Sequence, residues 1–101
     1  MNLLKETKEI LADNKKKVSD VLFINLKQSS CTWEQFKAVS NFNYDNGYGG
    51  NEIEGSLKIV GDNWWLERGE YDGSEWWEFK KMPKQKQPQL NIKKENIEDR
   101  Y

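Results

Sequence analysis

Few residues in this chain have the types and spacing that chemistry needs. Glu67 and Glu78 flank the stretch "RGEYDGSEWW". If a tight turn brings them opposite each other, they form a carboxylate pair of the kind that serves glycoside hydrolysis. Nothing in 101 residues marks a deep cleft around such a pair. Cys31 is the only cysteine and there is no histidine, so a Cys-His or Ser-His nucleophile is impossible and the commonest zinc ligand is missing. Asp45, Asn46, Glu52 and Glu54 could approach a calcium ion, but "DNGYGGNE" lacks the alternating acidic spacing of an EF-hand loop. "GYGG" has no following Lys-Ser/Thr and is not a phosphate loop. These absences predict a chain that is not an enzyme and needs no cofactor or metal.

The elements that must position these residues follow from periodicity. Leu3, Leu4, Ile10 and Leu11, with Thr7 between, mark one face of a helix over residues 3–13. "VLFINL" reads as a strand. Thr32 and Gln35 form a capping box that starts a second helix, with Trp33, Phe36 and Val39 as its apolar stripe to Ser40. "NFNYDNGYGGNE" is a long loop, and loops of that length are often functional. Three strands follow, "SLKIV", "WWLERGEY" and "SEWWEFK", the last two joined by Asp72-Gly73, a strong hairpin signal. The order α-β-α-β-β-β predicts an α+β domain over residues 1–82. Its three- to four-stranded, mostly antiparallel sheet carries two helices on one face. Residues 83–101 read as a basic polar tail, mobile or with a short helix near "KKENIEDR".

The hairpin "WWLERGEYDGSEWW" holds four of the five tryptophans. A two-residue turn at Asp72-Gly73 pairs Leu66 with Phe79 and Arg68 with Trp77 on one face, and places Trp64 on that face near Lys81. The other face then holds Gly69 opposite Trp76, Glu67 opposite Glu78 and Trp65 opposite Lys80. Like charges directly opposite are destabilising. A three-residue turn would instead set Arg68 against Glu78, so both registers stay open here. In the first, Trp64 and Trp77 are core. Trp65 and Trp76 are then either covered by a helix or loop, or part of an exposed aromatic patch.

The net charge of −1 hides an asymmetry. Residues 1–40 carry seven lysines against five acids, and residues 80–101 seven basic residues against three acids. Residues 41–79 carry nine acids against Lys58 and Arg68. An acidic surface repels nucleic acid and attracts basic protein grooves. There is no apolar run of membrane-spanning length, and the charged N-terminal helix does not read as a signal peptide. With one cysteine, this points to a reducing cytosol.

"DNWWLERGEYDGSEWWEFK", preceded by "FNYDNGYGGNEI", resembles a pattern in small proteins of phages and mobile elements of low-GC Gram-positive bacteria. The resemblance covers roughly residues 32 to 82 and fixes no activity. By class it is similar in style to anti-CRISPR and anti-restriction inhibitors, which often occupy the nucleic-acid groove of a nuclease. The resulting expectation is an inhibitor or adaptor that binds a basic surface of a host protein, such as a CRISPR effector nuclease. Tyr44, Asp45, Tyr48, Glu52, Glu54, Glu67, Asp72 and Glu75 are the expected contacts, with Trp65 and Trp76 as anchors. The alternatives are a small-ligand or carbohydrate-binding module built on the aromatic patch, and a phage accessory protein whose basic tail touches nucleic acid.

Overall fold

The structure is a computed structural model that describes residues 1–45, 50 and 52–99. Helix α1 (Leu3–Asp13) starts where the Asn2 side chain accepts the Lys5 backbone N–H. Its inward positions are Leu3, Thr7 and Leu11, spaced by one helical turn each. Thr7 is tolerated inside because its hydroxyl donates to the Leu3 carbonyl at 2.7 Å. After a single 3-10 turn (Val18–Asp20), strand β1 (Val21–Leu26) begins.

A strand that the sequence pattern does not announce comes next. β2 (Ser29–Cys31) folds back on β1 around Lys27, whose φ is 56°. Its two serines carry no β signal, and it forms because Cys31 falls opposite Ile24. Helix α2 (Trp33–Ser40) opens with the expected box. The Gln35 N–H donates to the Thr32 hydroxyl, and the Thr32 N–H donates to the Gln35 side chain. Its inward stripe is Trp33, Phe36 and Ser40; Val39, expected there, is 73% exposed. Position 40 lies seven residues from Trp33, two full turns, whereas 39 falls off that face.

Strands β3 (Lys58–Gly61), β4 (Trp64–Tyr71) and β5 (Ser74–Lys81) complete a five-stranded sheet in the order β2-β1-β3-β4-β5, with every pairing antiparallel. The sheet therefore has at least one strand more than the sequence pattern suggests, and a third short helix, α3 (Lys94–Ile97), lies in the tail. The β4–β5 turn has two residues, Asp72 at φ 52° and Gly73 at φ 85°, and Tyr71 pairs with Ser74. That register sets Leu66 against Phe79, Arg68 against Trp77 and Glu67 against Glu78, and removes the three-residue alternative.

One face of the sheet is the core face. Ile24, Ile59, Leu66, Trp64 and Trp77 meet Leu3 and Leu11 from α1 and Trp33 and Phe36 from α2 in one buried cluster. Trp64 stacks on Phe79 with ring centroids 5.7 Å apart. It can do so because residue 61 is glycine: a Cβ there would lie 2.0 Å from the Trp64 indole. Both long helices contribute to this cluster, and among the described residues no long helix packs on the opposite face of the sheet. Residues 82–99 are exposed throughout.

Candidate functional site

The residues singled out by sequence divide among three places. The first is the outer sheet face. Alternation along β4 and β5 sends Trp65, Glu67, Gly69 and Tyr71 outward, opposite Lys80, Glu78, Trp76 and Ser74. Trp76 is 39% exposed and Tyr71 76%. Trp65 is half-buried and its indole N–H donates to Glu67 at 2.7 Å. Val60 and Phe23 extend this face as an apolar row toward the other edge, since Phe23 pairs with Val60 and Val60 with Trp65. The two anchor tryptophans therefore share one uncovered face.

The second place is an acidic end. Glu70 and Asp72 are exposed at the β4–β5 turn, where the Glu70 side chain accepts the Gly73 N–H. Asp45 and Glu52 join them from the long loop, the Asp45 N–H donating to the Glu52 carboxylate at 3.3 Å. A depression of about 330 Å³ lies here, lined by Met1, Asn43, Tyr44, Asp45 and Glu52. Glu54 is exposed but turns toward the β1–β2 hairpin, 3.9 Å from Lys27. Tyr48 lies outside the described residues.

The third place is interior, and it corrects two of the expected contacts. Glu75 is 1% exposed and Tyr44 5%, so neither offers a surface to a partner. Glu75 points inward because position 75 shares the core face with Trp77 and Phe79. It accepts the backbone N–H groups of Glu52 at 2.7 Å and Ile53 at 3.1 Å, and so pins the end of the long loop to the hairpin. It also pairs with Arg68 at 3.1 Å.

Arg68 organises this interior site. Its side chain is 2% exposed and also meets Glu6 from α1 at 2.8 Å and the Tyr44 hydroxyl at 3.1 Å. The Trp77 ring lies 4.8 Å from the guanidinium carbon, and the Trp77 indole N–H donates to Thr7. The Tyr44 hydroxyl in turn donates to Glu6 at 2.5 Å. Burial, and then this hydrogen bond to Glu6, push the Tyr44 phenol up to about 12. Burial alone would lower the Arg68 pKa, but the hydrogen bonds to Tyr44 and Glu6 outweigh it and the net direction is up. Both groups keep the protonation state that the network requires.

The sequence did carry a signal for this site. Arg68 falls on the face of Leu66, Phe79 and Trp77, and a charge on an apolar face demands partners. Its partner Glu6 stands 62 positions away on the polar-looking side of α1, and no local pattern connects them. Glu67 and Glu78, the candidate acid pair, stand opposite each other on the outer face. Among the described residues, no group of three or more His, Cys, Asp or Glu side chains could hold a metal ion, and no helix is long and apolar enough to cross a membrane. Comparison with protein-family models, with curated proteins and with solved structures finds no match to this chain.

Proposed function

We propose that this chain is a non-catalytic inhibitor or adaptor that binds a basic surface of a host nucleic-acid-handling protein. The observation that carries this reading is the uncovered outer face of the sheet, where Trp76 and Tyr71 stay exposed beside Glu67 and Glu78. A large exposed aromatic is costly to leave in water and is the usual anchor of a protein interface. Asp45, Glu52, Glu70 and Asp72 at the adjoining end add the long-range attraction that draws a basic groove into register. The resemblance to phage proteins makes a CRISPR effector nuclease in the bacterial cytoplasm the favoured partner.

The test is association kinetics against candidate effector nucleases at two salt concentrations. The Glu52→Lys, Glu54→Lys, Asp72→Lys triple variant is expected to slow association more than it speeds dissociation, because steering acts on the encounter. Wild-type association should also weaken with salt as screening shortens the reach of exposed charge to about 8 Å. An unchanged association rate in a folded triple variant removes electrostatic steering from the reading. The exposed tail, with Lys84, Lys86, Lys93 and Lys94, supports a second reading in which it touches nucleic acid. That reading requires binding to DNA or RNA alone, falling steeply with salt.

A further inference from the structure

On the two sides of the β4–β5 hairpin two carboxylates and an indole are brought together, on the inner side with help from α1, and only the inner side has an arginine among the described residues. Inside, two carboxylates, Glu6 and Glu75, close on the Arg68 guanidinium, and the Trp77 indole lies against it. Outside, two carboxylates, Glu67 and Glu78, stand directly opposite each other, and Trp76 is the next outward residue along β5. Among the described residues no arginine joins them: of the chain's two, Arg68 lies inside and Arg100 falls outside the described residues.

The outer set is assembled closely. A Cβ at Gly69 would lie 2.6 Å from the Trp76 indole nitrogen and 2.7 Å from a Glu78 carboxylate oxygen. Indole and carboxylate thus converge over bare backbone, and only glycine leaves room for both. The nearby cations are lysines. Lys58 is the cross-strand neighbour of Glu67, and Lys80 reaches Glu78 at 4.0 Å. An ammonium is a point charge, whereas a planar guanidinium can bridge two carboxylates while lying flat on an indole.

We propose that the outer face is an arginine-binding site. An arginine of a basic partner protein lies on the exposed Trp76 indole, and its guanidinium bridges Glu67 and Glu78. The site rests on the interaction-module reading above and names the side chain that reading requires. Its logic is that like charges directly opposite are unfavourable; here the Trp65 indole N–H on Glu67 and Lys80 at 4.0 Å from Glu78 offset them in part, and an incoming guanidinium adds two charge-assisted contacts. The inner face shows that this chain already joins the same groups around an arginine.

The experiment follows the tryptophan indole N–H signals by NMR while tetra-arginine or tetra-lysine peptide is added, with signals assigned by single Trp→Phe variants. The Trp76 and Trp65 signals are expected to shift with tetra-arginine, with tetra-lysine weaker by about tenfold. Trp76→Ala, and separately the Glu67→Gln, Glu78→Gln double variant, should abolish the arginine preference. Glu78→Gln alone should raise the melting temperature by about 1–3 °C, because it removes a like charge from the free protein. A purely structural Glu78 would give a loss of stability instead, and that result overturns the proposal. So do equal responses to the two peptides, or shifts confined to the β4–β5 turn. A partner that binds both variants as tightly as wild type overturns the arginine site while the interaction-module reading stands. Arginine-selective shifts with no nuclease binding overturn that reading and leave the site.

Discussion

On the inner face of the β4–β5 hairpin a charge is buried and answered; on the outer face two like charges stand opposite each other, half-buried, with a Trp65 N–H on one and Lys80 beside the other. Arg68 is 2% exposed, bonded to Glu6, Glu75 and Tyr44, and set against Trp77. On the opposite face of the same two strands, Glu67 faces Glu78 and Trp76 is 39% exposed. The inner arrangement ties α1, the long loop and the hairpin together through Glu6, Tyr44 and Glu75. The outer one joins residues of β4 and β5 alone, through the Trp65–Glu67 hydrogen bond and the Lys80–Glu78 pair. Composition thus says little about role in this hairpin, and the direction a side chain points says nearly everything.

The sharpest way to break this comparison is Arg68→Met. It leaves Glu6 and Glu75 facing each other in the interior without their cation, and should lower stability by about 3–5 kcal/mol in chemical denaturation. Arg68→Lys should recover only part of this, since one ammonium cannot span Glu6, Glu75 and Tyr44 together. An Arg68→Met variant as stable as wild type would show that the inner network holds nothing in place.

Next in size is the contrast between adjacent tryptophans. Trp77→Ala empties a core site and removes the indole bond to Thr7, with an expected cost of about 3–5 kcal/mol. Trp76→Ala should cost less than about 1.5 kcal/mol and act mainly on partner binding. Equal, large losses at both positions would mean that the outer face is covered in solution.

Gly69→Ala should displace Trp76 and Glu78 and cost about 1–3 kcal/mol, because its Cβ collides with both. Intrinsic tryptophan fluorescence should shift along with the melting temperature. An unchanged spectrum would place the Trp76 ring elsewhere.

A smaller effect is expected from pH. The Tyr44 phenol is raised to about 12 in the fold, above its ordinary value of 10. Its contribution to stability is therefore fully present below pH 10 and lost as pH rises toward 12. The stability difference between wild type and Tyr44→Phe should shrink across that window, and a constant difference would mean that the phenol is not tied to Glu6. The smallest effect is expected from ending the chain after Lys81. The apolar residues removed, Leu90, Ile92 and Ile97, are all exposed, so the melting temperature should move by only a few degrees.

Much of the fold was legible in local pattern. The Thr32–Gln35 box, the Asp72-Gly73 turn and the alternation of β4 and β5 each act over a few residues, and each appears in the structure as its chemistry requires. β2 was not legible, because two serines and a cysteine become a strand only when β1 lies beside them. Val39 misled because an apolar residue one step off a helical face looks much like one on it.

The sequence by itself determined that Asp72-Gly73 is the hairpin turn; whether it has two or three residues, and so which tryptophans share a face, the structure decided. The sequence also determined the charge asymmetry between residues 41–79 and the two flanking segments. Tertiary structure alone decided that Glu75 and Tyr44 face inward to partners rather than outward to a surface. Their partners come from Glu6, Arg68 and the backbone of Glu52 and Ile53, separated from them by 7 to 38 positions. A buried ion pair forms only when burial and counter-charge arrive together, and those separations are set by packing, not by any short-range preference of the chain.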